Sequence, residues 1–224
     1  MTSNKKSKNI WLNSQIQIED GLTSFQDSLY LVLSNRKRCN VLLSKRELSE
    51  EDMVDIYISL HLVLEISLNA LHRQIIAKQI TKPIDRLDVI RNIDNIGFIE
   101  KTTLFIYNSS FDFGGKEEES AIHHKIISKL KVFAGVRNKL LHGHSIGSFA
   151  VGDSPRRNTE AKKALELNKL REQVKLFVDI NKGMQFFLNH LAIKDWSKKY
   201  IEDLKKQYLT YDFIPNSFLN EIQQ

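Results

Sequence analysis

The sequence is poor in cysteine and in the residues that interrupt helices. It contains nine glycines, three prolines and a single cysteine, Cys39, in 224 residues. So few turn-forming residues argue against a sandwich or barrel of many short strands. A lone cysteine excludes an internal disulfide and a metal site built from cysteines. A polar, lysine-bearing stretch follows Met1 where a signal peptide would carry an apolar block, and we therefore expect a cytoplasmic protein.

The composition predicts one folded domain without a membrane span. With 42% apolar and 27% charged residues, the chain is long enough for one sizeable core, and disorder throughout is excluded. The most apolar stretch, residues 56 to 71, is interrupted by His61 and Glu65. This stretch is shorter than hydrocarbon requires, so we expect a core helix there.

Apolar residues recur at helical spacing along most of the chain. Helices are predicted at residues 23 to 35, 50 to 79, 85 to 95, 98 to 107, 118 to 142 and 159 to 191. Ser49 followed by Asp52 predicts a capping box at the start of the strongest helix. We expect an all-α fold with an antiparallel four-helix-bundle core and additional short helices. Residues 1 to 13 are expected to form a mobile basic arm, 14 to 208 the single domain and 209 to 224 a C-terminal tail.

Positive charge is concentrated in two segments without acids. The formal net charge is +6, and residues 120 to 152 contain no acid. That segment holds five cationic residues and four histidines: Lys125, Lys129, Lys131, Arg137, Lys139, His123, His124, His142 and His144. A second run holds Arg36, Lys37, Arg38, Lys45 and Arg46. Such runs attract polyanions, but solvated helix faces have the same composition. Charge alone therefore does not decide between binding and solubility.

Arg137 falls inside the apolar stripe of its predicted helix. A guanidinium stays charged and is costly to bury unpaired, so Arg137 needs a carboxylate or a cleft. Glu65 is the candidate partner, because it lies in the middle of the most apolar helix on a narrow polar strip. A buried pair of this kind is more often structural than catalytic.

The residues around Arg137 form a recognisable motif. Arg137 is followed directly by Asn138 and, four residues later, by His142. In a chain of this composition, the pattern is expected by chance only about 0.02 times. It resembles the Arg-Asn-x-x-x-His signature of the HEPN superfamily, whose members are all-helical bundles. The surroundings are similar too, since the motif lies near the end of a predicted helix and is followed by Gly143.

The resemblance implies a metal-independent endoribonuclease without a cofactor that acts on RNA at a homodimer cleft. Arg137, Asn138 and His142 would be its catalytic residues. Weaker candidates for contacts with RNA are Lys139, His144, Arg156 and Arg157. A toxin or antiviral effector, with an antitoxin or nucleotidyltransferase partner, is a role that small members of this superfamily take. The alternative is a non-catalytic HEPN-like module for dimerisation or for binding a nucleotide or partner.

These residue types suit the chemistry. RNA cleavage by its own 2′-hydroxyl needs a base, an acid and cationic donors to the phosphate. Histidine titrates near neutral pH, and arginine donates paired hydrogen bonds to phosphate oxygens. Asn138 lies one turn before His142 and can orient it. Arg137 and His142 point about 140° apart on an ideal helix, so an isologous dimer is expected to complete the site.

Two histidine groups also invite interpretation as metal sites. His123 and His124 follow an acid by one turn, but the Glu-x-x-His spacing of di-iron bundles is absent. His61, Glu65 and His72 share one helix face, yet a polar strip in the core or at a dimer seam explains them better. We therefore expect no metal.

Overall fold

The computed structural model describes residues 28 to 79, 92, 95 to 110, 117 to 141, 165 to 189 and 197 to 223. Within these ranges the chain is all-α and has no strand, which confirms the predicted fold class. The helices described are α1 (residues 28 to 43), α2 (Glu50–Gln79), α3 (Phe98–Ser110), α4 (Glu117–Leu141), α5 (Leu167–Asn189), α6 (Lys198–Tyr208) and α7 (Asn216–Gln223).

α2 is the central helix and contacts α3, α4, α5 and α6. Its start has the predicted capping box. Oγ of Ser49 accepts a hydrogen bond from the Asp52 backbone at 3.1 Å, and the Asp52 carboxylate accepts one from the Ser49 backbone at 3.2 Å. The helix supplies much of the core through Ile56, Leu60, Leu64, Leu68, Leu71 and Ile75. By length and composition its segment Glu50–Ile75 could cross a membrane, but 61% of the apolar window is buried against the rest of the chain.

α4 and α5 pack closely as antiparallel neighbours. Ile126 contacts Gly183, Lys129 forms an ion pair with Asp179, and Phe133 contacts Phe177 at a ring separation of 6.3 Å. Residue numbers rise along α4 as they fall along α5, which defines the antiparallel register. A Cβ on Gly183 would lie only 2.2 Å from Cδ1 of Ile126, so glycine permits the close approach of the two helices.

Residues 209 to 223, which the apolar periodicity leaves outside the predicted domain, pack onto the helical core. Ile214, Phe218 and Ile222 are buried. The Asn40 side chain donates to the Phe213 carbonyl at 2.6 Å, and Arg171 of α5 donates from Nε to Glu221 of α7 at 3.1 Å. The C-terminal segment therefore joins α1 to α5.

Much of the basic run from Arg36 to Arg46 is engaged within the molecule. The guanidinium of Arg36 is buried 5.8 Å from the ring centre of Phe213, and burial lowers its pKa to about 10. Arg38 pairs with Asp55, and Lys45 pairs with Asp52 at 2.7 Å. These intramolecular pairs leave less of the run available to a polyanion than the sequence suggested.

Two predicted helix boundaries are wrong. α1 does not end at Asn35 but continues to residue 43, because Cys39, Leu42 and Leu43 extend its buried face. The helix predicted to begin at Thr159 instead begins, within the described residues, at Leu167 as α5, because residues 165 and 166 form a turn; residues 159 to 164 lie outside the described part. The predicted helix at 85 to 95 lies almost entirely outside the described residues, as does the arm at 1 to 13. The four-helix arrangement of the core stays a prediction.

Candidate functional site

A strip of polar side chains follows one face of α2 inside the helical core. His61, Glu65, Asn69 and His72 recur at intervals of three and four residues, which places them on one side of the helix. His61 and His72 are buried, whereas Glu65 and Asn69 are half-buried. Polar groups in a core need partners, and helices α3 and α4 bring other polar groups to this strip.

His61 and Glu65 contact each other along the strip. Nε2 of His61 lies 3.3 Å from Oε2 of Glu65, which is long for a hydrogen bond. The imidazole packs between Phe98 of α3 and Phe133 of α4, at ring separations of 4.6 and 6.1 Å. These aromatic contacts fix the imidazole beside the carboxylate.

The pKa of Glu65 lies below its usual value because cationic and hydrogen-bonding groups surround the carboxylate. The contact with His61 is the largest cause, and burial opposes it. The charges of Lys101 and Arg137 lower this pKa further. Glu65 is therefore held as a carboxylate where three helices meet.

Lys101 reaches the strip from the first turn of α3. Its carbonyl lies 2.8 Å from Nε2 of His72. Because a carbonyl can only accept, that ring nitrogen carries the proton. Burial lowers the pKa of His72; the hydrogen bond to the Lys101 carbonyl opposes this effect, and the nearby Lys101 charge adds to it. His72 is thus a neutral donor that fastens α3 to α2.

Arg137 reaches the strip from the last turns of α4. It is half-buried and lies one turn beyond Phe133, the residue that packs on His61. The predicted partner Glu65 lies within range of the Arg137 charge, since that charge lowers the pKa of Glu65. We refer to His61, Glu65, Lys101 and Arg137 as the polar cluster.

The comparisons with known proteins do not assign the chain to a family. No family model matches the sequence, and the chain has no significant match among curated proteins or solved structures. The described residues include no group of three or more His, Cys, Asp or Glu side chains able to hold a metal ion. The functional interpretation therefore depends on the polar cluster and its sequence.

The other predicted site residues are only partly described. Asn138 and Lys139 lie in α4, next to Arg137, but their side chains are outside the described part. The remaining predicted residues lie outside the described residues altogether: His142, His144, Arg156 and Arg157. Among the three motif residues, the structure therefore describes the side-chain surroundings of Arg137.

Lys101 was not singled out from the sequence, although the rule that identified Arg137 applies to it. Phe98, Lys101 and Phe105 recur at helical spacing, so the lysine falls on the apolar stripe of α3. A charged residue in that position is rarely buried without a partner. The same test, applied to every helix, would have found it.

The outer face of α4 is basic. His124, Lys125, Ser128 and Lys131 are exposed there, together with Val132. The described outward positions from His124 to Gly135 include no acid. Opposite the polar cluster, this helix therefore offers a cationic surface to solvent.

Proposed function

We propose that this protein is a HEPN-like, metal-independent endoribonuclease. The observation that carries the proposal is the position of Arg137, the arginine of the motif, in the polar cluster. A half-buried guanidinium can act on a nearby carboxylate through its charge and still donate to a phosphate from outside.

The chemical steps follow from the residue types of the motif. His142, the next residue in the sequence after Leu141, would exchange protons with the 2′-hydroxyl or with the leaving 5′-oxygen. Arg137 would donate to the phosphate oxygens, on which negative charge develops. Asn138 would orient the imidazole or contact the phosphate. The products would carry 2′,3′-cyclic phosphate ends, because the attacking oxygen belongs to the RNA.

The charge on α4 supports RNA as the substrate class. The exposed Lys125 and Lys131 lie on the same helix as the motif, with no acid among the described outward residues between His124 and Gly135. A surface of one sign attracts a polyanion and raises its association rate, particularly at low ionic strength. We expect RNA binding to weaken steeply with added salt.

The function also requires a second copy of the chain. Arg137 and His142 point about 140° apart on an ideal helix, so two motif helices related by a two-fold axis would assemble one cleft. The outer face of α4 exposes Val132 and leaves open space beside Gly135, which would permit close approach of another helix. We expect a dimer at micromolar concentration, and a strictly monomeric sedimentation profile with and without RNA would contradict a shared site.

The experiment is RNA cleavage by the purified chain in EDTA. His142→Ala is expected to abolish cleavage without destabilising the fold, whereas His144→Ala should have a smaller effect. Arg137→Ala should also end cleavage. Arg171→Ala is the matched control, because Arg171 is an arginine of α5 that pairs with the Glu221 carboxylate of α7. Cleavage that survives His142→Ala or that requires a divalent metal would contradict the mechanism.

A second candidate function is a non-catalytic HEPN-like module that dimerises or binds a nucleotide or partner. The observation that favours it is the charge of Arg137 acting on Glu65 within the core, since such pairs often serve structure alone. In that case the protein would bind RNA or a nucleotide without cutting it, and Arg137→Ala would only lower stability. An antitoxin or a nucleotidyltransferase is a candidate partner in either case.

A further inference from the structure

Arg36 lies in the buried face of α1, between apolar residues. Val32 is one turn before it and Cys39 is one turn after it, and both are fully buried. Only 5% of Arg36 itself is exposed, although arginine is almost never fully buried unless it is paired. This arginine therefore conflicts with its apolar helix face as Arg137 does, on a helix that the proposed function does not use.

The guanidinium of Arg36 has an unpaired edge. Its Nε and Nη2 atoms are out of contact with solvent, and neither donates to an acceptor among the described residues. These two nitrogens form the edge with which arginine binds a carboxylate or a phosphate through paired hydrogen bonds. Arg171 uses the same two nitrogens to hold Glu221. Arg36 thus keeps both donors of an anion-binding edge unused within the described part of the chain.

The neighbours of Arg36 offset only part of the cost of burying its charge. The ring of Phe213 lies 5.8 Å from the guanidinium, but a cation–π contact is weaker than the hydration that burial removes. Asp212 is exposed and does not accept from Nε or Nη2. A hydrophobic residue of similar volume would avoid this cost. Charge that is retained at a cost to stability is typical of a functional site.

A surface loop separates Arg36 from solvent. The loop comprises residues 209 to 215, between α6 and α7, and in it Phe213 is half-buried and Asp212 is exposed. The Asn40 side chain holds the loop by donating to the Phe213 carbonyl at 2.6 Å, and the Phe213 ring meets Phe177 edge-on at 5.7 Å. Local opening of such a loop needs less free energy than global unfolding. The loop can therefore uncover Arg36 while the helices stay folded.

We propose that Arg36 binds a phosphate group beneath the loop of residues 209 to 215. Nε and Nη2 would each donate to a phosphate oxygen once the loop has opened and the Phe213 ring has moved aside. The next residue of α1, Lys37, is exposed and adds a second positive charge, which favours a phosphate over a carboxylate. The phosphate belongs either to a small molecule or to the backbone of RNA, and the test has an arm for each.

Thermal denaturation in a phosphate-free buffer, with inorganic phosphate titrated at constant ionic strength, tests the site. Phosphate at about ten times its Kd is expected to raise the wild-type midpoint by about 3–6 °C. Arg36→Met should show no shift and, without phosphate, should melt at the wild-type temperature or above it, because the buried charge is gone. Arg171→Met is the matched control and should keep the shift, since the edge of Arg171 already holds Glu221.

Asp212→Asn shows whether Asp212 is instead the partner of Arg36. Because it removes a nearby negative charge, this variant should bind phosphate about twofold more tightly than the wild type, with little change in its own midpoint. A lower midpoint together with unchanged or weaker phosphate binding would overturn the proposal. This comparison also decides if Arg36→Met does not fold.

A 2′-O-methyl RNA oligonucleotide and acetate, each compared with inorganic phosphate at the same ionic strength, identify the source of the phosphate. A shift with inorganic phosphate alone supports a small molecule, whereas a shift with the oligonucleotide that Arg36→Met removes supports the RNA backbone. Acetate that acts as well as phosphate, a shift that survives Arg36→Met, or no shift with either phosphate source would overturn the proposal. These results do not depend on whether the protein cleaves RNA.

Discussion

Replacing Glu65 with glutamine should destabilise the fold more than the loss of an ordinary ion pair. The Glu65 side chain is 30% exposed, and its carboxylate interacts with His61, Lys101 and Arg137. Breaking a fully buried pair costs about 3–5 kcal/mol. Because water screens part of this carboxylate, we expect a loss of about 2 kcal/mol in the free energy of unfolding.

Asp179→Asn provides the matched control. The Asp179 side chain is also 30% exposed and pairs with one lysine, Lys129, on a neighbouring helix. Its loss should cost about 0.5–1 kcal/mol. Urea denaturation of the two variants and the wild type at neutral pH measures the difference. If Glu65→Gln costs no more than Asp179→Asn, the cationic groups around Glu65 do not depend on its charge, and the reasoning fails.

The pH dependence gives a second readout. The folded-state pKa of Glu65 is lowered from 4.5, so its stabilising contribution is complete above the unfolded-state value. The contribution is lost as the pH falls through the folded-state value. The stability difference between wild type and Glu65→Gln should therefore shrink in acid. A difference that persists unchanged at low pH would show that packing, rather than charge, is responsible.

Three further outcomes are expected. Gly183→Ala should lower the free energy of unfolding by about 1–3 kcal/mol, because the new methyl group would press on Ile126. Gly135→Ala, which has open space around it, should raise the free energy of unfolding by up to about 1 kcal/mol. Thermal denaturation compares the two variants, and equal effects would contradict the packing of α4 on α5. Ser49→Ala should cost about 1 kcal/mol in urea denaturation by removing the helix cap. The pKa of His72 is lowered from 6.5, so stability should fall as the pH drops below that value. His72→Gln, which keeps a donor, should lose less stability between about pH 7 and pH 5, and an identical loss would exclude His72 as the cause.

The fold class could be predicted because apolar periodicity is a local property of the sequence. The capping residues Ser49 and Asp52 likewise form their contacts within one turn. The end of α1 could not be predicted in the same way. Cys39 and Leu42 are buried, but they follow a run of basic residues that interrupts the apolar periodicity. The burial of Arg36 depends on Phe213, which is distant in the chain, and no local pattern reveals such a contact.

Two residues of the polar cluster could be singled out from a conflict between their charge and the apolar helix face on which they lie. Arg137 and Glu65 were identified by that conflict, and the structure brings the charge of one to bear on the other. Which additional groups would join them depended on how α3 lies against α2. That arrangement is set by the contacts of Phe98 and Lys101 with the two histidines of α2, which single-helix patterns do not specify.

The most direct test of the proposed function is a cleavage assay with the wild-type protein and His142→Ala, in EDTA, on a broad panel of single-stranded and structured RNAs. We expect the wild type to cut RNA, leaving 2′,3′-cyclic phosphate ends, and the folded His142→Ala variant to cut none. Wild-type protein that binds these RNAs and leaves every one of them intact would contradict the nuclease and favour the binding module.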